Sequence, residues 1–241
     1  MASLIGTWDQ TNERKYETGV DRGVLYTYNA AQRKYNEGVA WNGLTGVTET
    51  PSGAEETKLW ADNMKYLSMR SAEELGGTIE AYTYPVEFQA CDGSADLVTG
   101  VHVGQQARTS FGMSYRTVVG NDTAGDDYGY KLHLIYGCTV SPSERAYATI
   151  NDSPEAITFS WEFTTSPVGE GDMPTISGKK LKSTSILTID TTELTGGVDN
   201  PKLKALEAIL YGTDADAEAQ IEDKPPTLPT PKEVYELFNA A

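Results

Sequence analysis

From Ile157 to Phe163 apolar and polar residues alternate without a break, at the end of the stretch Asp152 to Phe163. Ile157, Phe159, Trp161 and Phe163 fall on one side of an extended chain, and Thr158, Ser160 and Glu162 on the other. A period of two is that of a half-buried β-strand, with one face in a core and the other meeting water or a neighbour. The same period recurs in Thr78 to Tyr84, Arg108 to Thr117, Tyr128 to Tyr136 and Ser183 to Asp190. No catalytic constellation recurs with it, so the pattern points to a building block rather than an enzyme.

A chain of 241 residues suffices for one large β domain, with or without an appendage. The formal charge of −16 disfavours general attraction to nucleic acid through clustered Lys and Arg. Fourteen tyrosines dominate an aromatic content of 10%, too much for a disordered acidic chain and suited to strands and subunit contacts. Cys91 and Cys138 have no C-x-x-C spacing, which predicts reduced, buried thiols rather than a disulfide framework. The opening MASLIGTWDQTNERKYE lacks a basic start followed by an apolar run, and no window approaches a bilayer-spanning length. Folding in a cytoplasm is expected, so the sequons at Asn121 and Asn151 carry no glycosylation reading.

Along the chain, Trp8 to Tyr28 reads as an arm or irregular edge, and Glu49 to Glu56 as a long exposed loop or hairpin tip. Lys58 to Ala61 and Lys65 to Met69 are expected strands on either side of Asp62-Asn63. Gly76-Gly77 opens a strand, Pro85 starts a short helix to about Ala90, and Cys91-Asp92-Gly93 closes it. Phe111, Met113 and Tyr115 form one buried stripe, with Arg108, Ser110, Ser114 and Arg116 opposite. Tyr130, Leu132, Leu134 and Tyr136 form another, across a tight acidic loop over Gly120 to Gly129, so the two strands predict a hairpin. The phrase Ser141-Pro142-Ser143-Glu144 has the grammar of a helix start and predicts a short helix toward Ile150. Asn200-Pro201 repeats it, with Leu203, Leu206 and Leu210 on one face and Gly212 at the end. Residues 1–212 are thus one β domain with an N-terminal arm, and 213–230 an acidic, proline-rich connector. Residues 231–241 form a docking segment in which Val234, Leu237 and Phe238 seek a groove. There is no internal repeat and no sustained heptad.

Catalytic and metal patterns are weak. His102 and His133 have no ligating partner at helical spacing, and His133, on the polar side of a strand, reads as a satisfied structural histidine. Gly112-Met113-Ser114-Tyr115-Arg116 lacks the second glycine of a nucleophile elbow. Asp122, Asp126 and Asp127 miss the spacing of a calcium loop and read as a solvated turn. With 35 acidic residues, some carboxylate pair always meets glycosidase spacing by chance. No phosphate-binding glycine loop is present. Catalytic, cofactor and metal residues are therefore assigned to none.

Several phrases in one order resemble the major tail proteins, or tail tube proteins, of long-tailed siphophages, especially those infecting Gram-positive bacteria. They are YETGVDRGVLY (Tyr16 to Tyr26), GVAWNGLTGVTETPSGAE (Gly38 to Glu55), LWADNMKYL (Leu59 to Leu67) and GGTIEAYTYPVEFQACDGS (Gly76 to Ser94). YKLHLIYGCTVSPSERAYATINDSPEAITFSWEF (Tyr130 to Phe163) and the helix near Lys202 to Gly212 complete the set. The resemblance spans Trp8 to Gly212. It implies a mainly β fold, a sandwich or barrel of tail tube type, with a flanking α-helix and a short C-terminal helix. It also implies six copies closing into a ring, and rings stacking into a conduit for genome DNA. No cofactor is implied. The partners are the protein itself, the tape measure protein and tail-tip or terminator proteins, with DNA passing unbound and no membrane. The place of action is the virion tail, assembled in host cytoplasm.

That family role gives parts of the sequence specific expectations. A ring of six carries a formal charge of about −96, six times −16, and acid facing the bore repels phosphate. Glu73, Glu74 and Glu80 are the lumen candidates, unless Glu80 pairs across strands with Arg108 or Arg116. Glu49, Pro51, Ser52, Glu55 and Glu56, with Val234, Leu237 and Phe238, are the candidates for contacts between rings. Two other classes stay open: a monomeric β-sandwich module binding carbohydrate or protein through its aromatics, and a carboxylate-dependent hydrolase.

Overall fold

The computed structural model describes residues 10–53, 55–147, 149–150, 156–214 and 223–239. The sequon at Asn151, the start of the alternating stretch at Asp152, Trp8 and the middle of the connector lie outside the described residues. In chain order the strands begin with β1 (Lys15–Asn29), β2 (Lys34–Tyr35), β3 (Val39–Ala40), β4 (Leu44–Gly53) and β5 (Glu56–Ala61). Then come β6 (Met64–Arg70), β7 (Glu73–Ala81), β8 (Ala95–Val98), β9 (Val101–Val103) and β10 (Phe111–Asn121). The last are β11 (Gly125–Val140), β12 (Phe159–Thr165), β13 (Thr175–Ile176), β14 (Lys179–Lys180) and β15 (Ile186–Asp190). The helices are α1 (Gln89–Asp92), α2 (Pro201–Tyr211) and α3 (Pro231–Asn239).

One large antiparallel sheet runs in the order β2-β1-β10-β11-β12-β7-β4, with β3 added to β1 and β15 to β11. It curls on itself so that β12, β7 and β4 lie over β1, β10 and β11. The enclosed first core holds Leu25, Phe111, Met113, Tyr115, Ile135, Ile79, Ala81, Trp161 and Phe163, closed at one side by Trp41 and Phe88. Its aromatic rings meet edge to face, as between Phe88 and Trp161 at 5.1 Å and Trp41 and Trp161 at 5.8 Å. Cys91 and Cys138 are free and buried in this core, where burial pushes the Cys91 thiol up to about 12.

The other face of β1, β10 and β11 carries a second core. Tyr26, Leu132, Leu134 and Tyr136 meet Leu203, Leu206 and Leu210 of α2, with Leu228 and Val234 beside them. Asn200 caps α2 through its side-chain oxygen to the N–H groups of Lys202 and Leu203, Pro201 stands at the first turn, and Gly212 follows the end. The three leucines recur at three- and four-residue spacing, and each buried one stabilises the docked helix by roughly 1.5–3 kcal/mol. Buried Tyr26 donates its hydroxyl to the Leu210 carbonyl at 2.7 Å, satisfying a group at the helix end that has no partner within the helix. The strands of the central hairpin are therefore buried on both faces. Ser114, expected on a wet side, is 1% exposed and stands 3.3 Å from the Tyr26 hydroxyl.

β11 serves two partners on one edge. Lys131 to Ile135 pair with β15, and Cys138 to Val140 pair with β12. Gly137 separates the two at φ +63°, and a Cβ there would stand 2.2 Å from the Ser166 carbonyl oxygen. Only glycine meets both demands.

Five expectations are corrected. Lys15 to Tyr28, expected as part of an arm or irregular edge, belongs to strand β1, and its Val24, Leu25 and Tyr26 are buried in the two cores. Ser141 to Tyr147 is irregular rather than helical. The Ser143 hydroxyl donates to the Ser141 carbonyl and accepts from Glu162 N–H at 3.2 Å, so the serine serves the edge of β12 instead of capping a helix. Glu49 to Gly53 is not loop but the end of β4, paired to β7 from Gly77 back to Glu73. The acidic loop is also shorter than Gly120 to Gly129, since β10 and β11 pair as far as Asn121 with Gly125. The connector is in part a strap: Thr213 and Lys224 exchange two N–H···O bonds, Gly38 N–H donates to Pro226 O at 2.8 Å, and Leu228 is buried.

Replacing Gly137 with alanine is expected to lower the free energy of unfolding by about 1–3 kcal/mol or more, read as a shift in urea midpoint. A midpoint equal to wild type would show that the bend of β11 is not under this constraint.

Candidate assembly interface

β4 and β7 run past the first core and continue as β5 and β6, a hairpin that turns at Asp62-Asn63. Both turn residues have positive φ, 50° and 60°, as the mirror-image turn of a two-residue hairpin requires. The register makes the hairpin two-faced. Thr57, Leu59, Ala61, Met64, Leu67 and Met69 share one side, and Glu56, Lys58, Trp60, Lys65, Ser68 and Arg70 share the other. Glu56 gathers the polar side, accepting from Lys65 at 2.5 Å and from Ser68. Nothing among the described residues covers the apolar side: Leu67 is 46% exposed and Met64 63%. Six apolar or small side chains in water on a two-stranded ribbon make an unfavourable surface for a chain that stays alone.

The sheet also has two free edges. β4 has no strand on its outer side among the described residues. β1 pairs with β3 and β2 only through Val24 and beyond, so Lys15 to Arg22 is unpaired on that side. Two register shifts bulge β1 there, while β4 beyond Gly46 is regular, with Pro51 the one position on it that has no N–H to offer.

Inward and outward residues separate cleanly on the β12-β7-β4 layer. Ile79, Ala81, Trp161 and Phe163 point into the core. Glu80 is exposed on the opposite face, and the alternation puts Glu74, Thr78, Ser160 and Glu162 there with it. Among the described residues no helix or strand packs over that face. Glu80 makes no pair with either arginine: Arg116 forms a bidentate pair with Asp21, and Arg108 packs against Gly93. Glu73 is exposed but falls on the other face of β7 from Glu74 and Glu80, beyond the core.

At one end of the first core, between β1 and β4, which share no ladder, a polar cluster takes the place of apolar packing. Glu49 points inward and accepts from the Tyr115 hydroxyl. His133 stacks on Tyr115 at 4.7 Å between ring centroids, with Nδ1 3.5 Å from Glu49. Glu17 of β1 accepts from Thr117 at 2.5 Å and from Lys131 at 2.7 Å. His133 and the Tyr115 hydroxyl hold the Glu49 carboxyl below the ordinary 4.5 against the opposing effect of burial. At Glu17 burial is the largest single influence and raises the pKa, but Lys131, Thr117 and His133 together outweigh it.

The residues expected between rings are thus divided. Pro51 and Ser52 lie exposed on the free edge strand, and Glu55 and Glu56 lead into the hairpin. Glu49 is engaged within its own chain. Val234 is 6% exposed, and Leu237 and Phe238 pack against the second core, so the groove for α3 is supplied by α2 and the strap of the same molecule. Leu59, Met64, Leu67 and Met69, the largest uncovered apolar group on this arm, were not singled out from the sequence. Their signal was the alternation Thr57, Leu59, Ala61 that resumes across Asp62-Asn63 without a counterpart stripe to cover it.

Among the described residues no cluster of His, Cys, Asp or Glu is arranged to hold a metal ion, and no helix is long and apolar enough to cross a membrane. The acids of the β10–β11 turn tie down neighbours instead: Asp126 accepts from the Tyr16 hydroxyl and Asp122 from Asn12 N–H, each at 2.9 Å. A separate cleft of about 950 Å³ opens beside Tyr28, Tyr35, Ser166 and Asp172.

No family model matches the chain, and no curated protein matches it. Among solved structures it is similar to a chain of the anti-feeding prophage baseplate, determined by cryo-electron microscopy with six-fold symmetry imposed. Identity is 7%, the TM-score is 0.33, and the match covers 72% of this chain and 95% of that one.

Both carboxyls of the cluster titrate below 4.5 in the fold, so their contribution to stability is complete above about that pH and is lost as the pH falls below it. In urea titrations the wild type should lose stability more steeply below about pH 4.5 than Glu49→Gln. Parallel curves would show that Glu49 is not held in its charged form by the fold.

Proposed function

We propose that this chain is a structural subunit of a phage tail tube, non-enzymatic, which assembles with copies of itself into stacked rings enclosing a channel for DNA. The observation that carries the reading is the hairpin β5–β6, whose apolar side lies uncovered beyond both cores. A second copy is the partner that fits, because the same molecule also offers two unlike free edges, β4 and the first half of β1. Joining unlike surfaces head to tail closes a ring when the rotation per copy divides a full turn, and closure leaves no sheet edge exposed. Six copies remain the expectation from family resemblance, as do the tape measure and tail-tip partners and a place in the virion tail.

The uncovered acidic face of β12, β7 and β4 is the natural lining of such a channel, with Glu74 and Glu80 joined by Glu162. Carboxylates there keep phosphate from adhering and let DNA slide. Glu73, on the other side of β7, is left out of this role. Contacts between rings are assigned to the hairpin and to Pro51, Ser52, Glu55 and Glu56 at its base. The cleft beside Tyr28 and Tyr35 supports a second reading, a binding module for carbohydrate or protein, but that reading gives the hairpin no purpose.

Purified protein viewed by negative-stain electron microscopy should show rings or tubes. The double substitution Leu59→Lys with Leu67→Lys should abolish them while leaving the thermal unfolding of the subunit within about 0.5 kcal/mol of wild type, as for exposed positions. A strictly monomeric wild type, even with tail-tip proteins added, would remove the proposal. Glu80→Lys should leave tubes intact and reduce phage infectivity through slower genome passage; normal infectivity would discard the lumen assignment.

A further inference from the structure

His133 of β11 lies between Glu17 of β1 and Glu49 of β4, with its side chain 11% exposed. Thr117 commits its hydroxyl proton to Glu17 Oε1 at 2.5 Å, so its oxygen receives at 3.0 Å from His133 Nε2. The single proton of the neutral ring is therefore on Nε2, and Nδ1 is left with a bare lone pair. That nitrogen is buried without a hydrogen-bond partner and lies 3.5 Å from Glu49 Oε1. A lone pair facing a carboxylate is repelled by it, whereas the same nitrogen carrying a proton is a donor aimed at it. A second carboxylate, Glu17 Oε1, lies 3.7 Å from Nε2. The ring thus stands between acids from two strands that share no backbone ladder with each other.

We infer that His133 is a proton-operated clamp between β1 and β4: protonated on both nitrogens it ties Glu17 to Glu49 and closes the gap, and with Nδ1 bare it releases β4. The other groups facing the ring do not reverse this. Lys131 of β11 holds Glu17 at 2.7 Å and lies 3.9 Å from Asp190 of β15, so Glu17 is anchored in either state. Tyr115 of β10 stays protonated, since burial first and Glu49 second push its hydroxyl up. Loss of the His133 proton leaves Glu49 held by the Tyr115 hydroxyl alone among these groups. The consequence for assembly rests on the proposed function. β4 and the first half of β1 are the edges offered to neighbouring copies, so the clamp sets the spacing between the two surfaces that must both match for a ring to close.

The test uses the full chain with spin labels at Thr18→Cys and Thr50→Cys, both exposed, the native thiols being buried. Label distance is measured across an acid titration alongside the ¹⁵N shifts of the His133 ring, which report directly when each nitrogen carries a proton. The distance should shorten and narrow on acidification in step with protonation of Nδ1, and His133→Gln should lose the shift entirely. Glu49→Gln, which keeps the shape of the side chain, should lose it too and serves if His133→Gln fails to fold. A distance that ignores pH while Nδ1 protonates, or a shift that persists in either variant, overturns the clamp. Ring yield followed by light scattering over the same range separates the two ideas. A working clamp in a chain that forms no rings at any pH would remove the assembly reading and leave the clamp, while rings whose yield ignores a working clamp would sever their coupling.

Discussion

Every other part of this structure depends on β11 being buried on both faces and paired on both edges. One face supplies Ile135 and Cys138 to the first core, and the other supplies Leu132, Leu134 and Tyr136 to the second. One edge is filled by β10, and the other is divided between β15 and β12 at Gly137. That division lets a single sheet turn into a second layer. The part paired to β15 remains under the helices, while the part paired to β12 leads away into the layer that ends in β4. A strand with one partner per edge would have made a flat sheet with one core, and β7, β4 and their long hairpin would have had no place to start from.

Much of this was legible in residues that answer to local physics. The alternation of Tyr130, Leu132, Leu134 and Tyr136, the turn at Asp62-Asn63 and the capped helix after Asn200 each form as expected, because pattern, turn chemistry and capping agree at those positions. What misled were polar residues whose partners are distant in sequence. Ser114 reads as solvent-facing until Tyr26 and α2, nearly 100 residues away on the C-terminal side, arrive to cover it. Ser141 to Glu144 has the letters of a helix start, but the Ser143 hydroxyl is taken by Glu162 on the neighbouring strand. Glu49 reads as loop because it sits among Pro51, Ser52 and Gly53, yet its carboxylate is directed inward to Tyr115. In each case a tertiary hydrogen bond outweighs a local preference of comparable size, and one sequence contains no record of which tertiary bond forms.

The division of α3 from the hairpin is the clearest instance at the level of assembly. Both are short amphipathic pieces beyond the main alternating stretches, and both offer an apolar side in search of cover. Val234 finds it at once, because the strap through Pro226 and Leu228 delivers α3 to the exposed side of α2. Leu59 and Leu67 do not, because β4 and β7 carry them straight outward, past the last residues of the first core. The same property, an apolar face on a short element, thus stabilises the subunit in one place and is left available to a partner in the other. Geometry of delivery decides between them, and hydrophobicity does not.

The polar cluster belongs to the same logic. A curled sheet that stops short of closing must end its core somewhere, and at that end apolar side chains would face water. Here the core ends instead in Tyr115, His133, Glu49 and Glu17, groups able to hold two strands that share no ladder by hydrogen bonds whose strength depends on charge. Apolar side chains of β1 and β4 meet in the first core at Val20, Leu44 and Val47, and apolar packing at this end as well would fix their separation along its whole length. A histidine between two carboxylates makes that separation responsive, and places the response at the root of the two free edges and the uncovered hairpin.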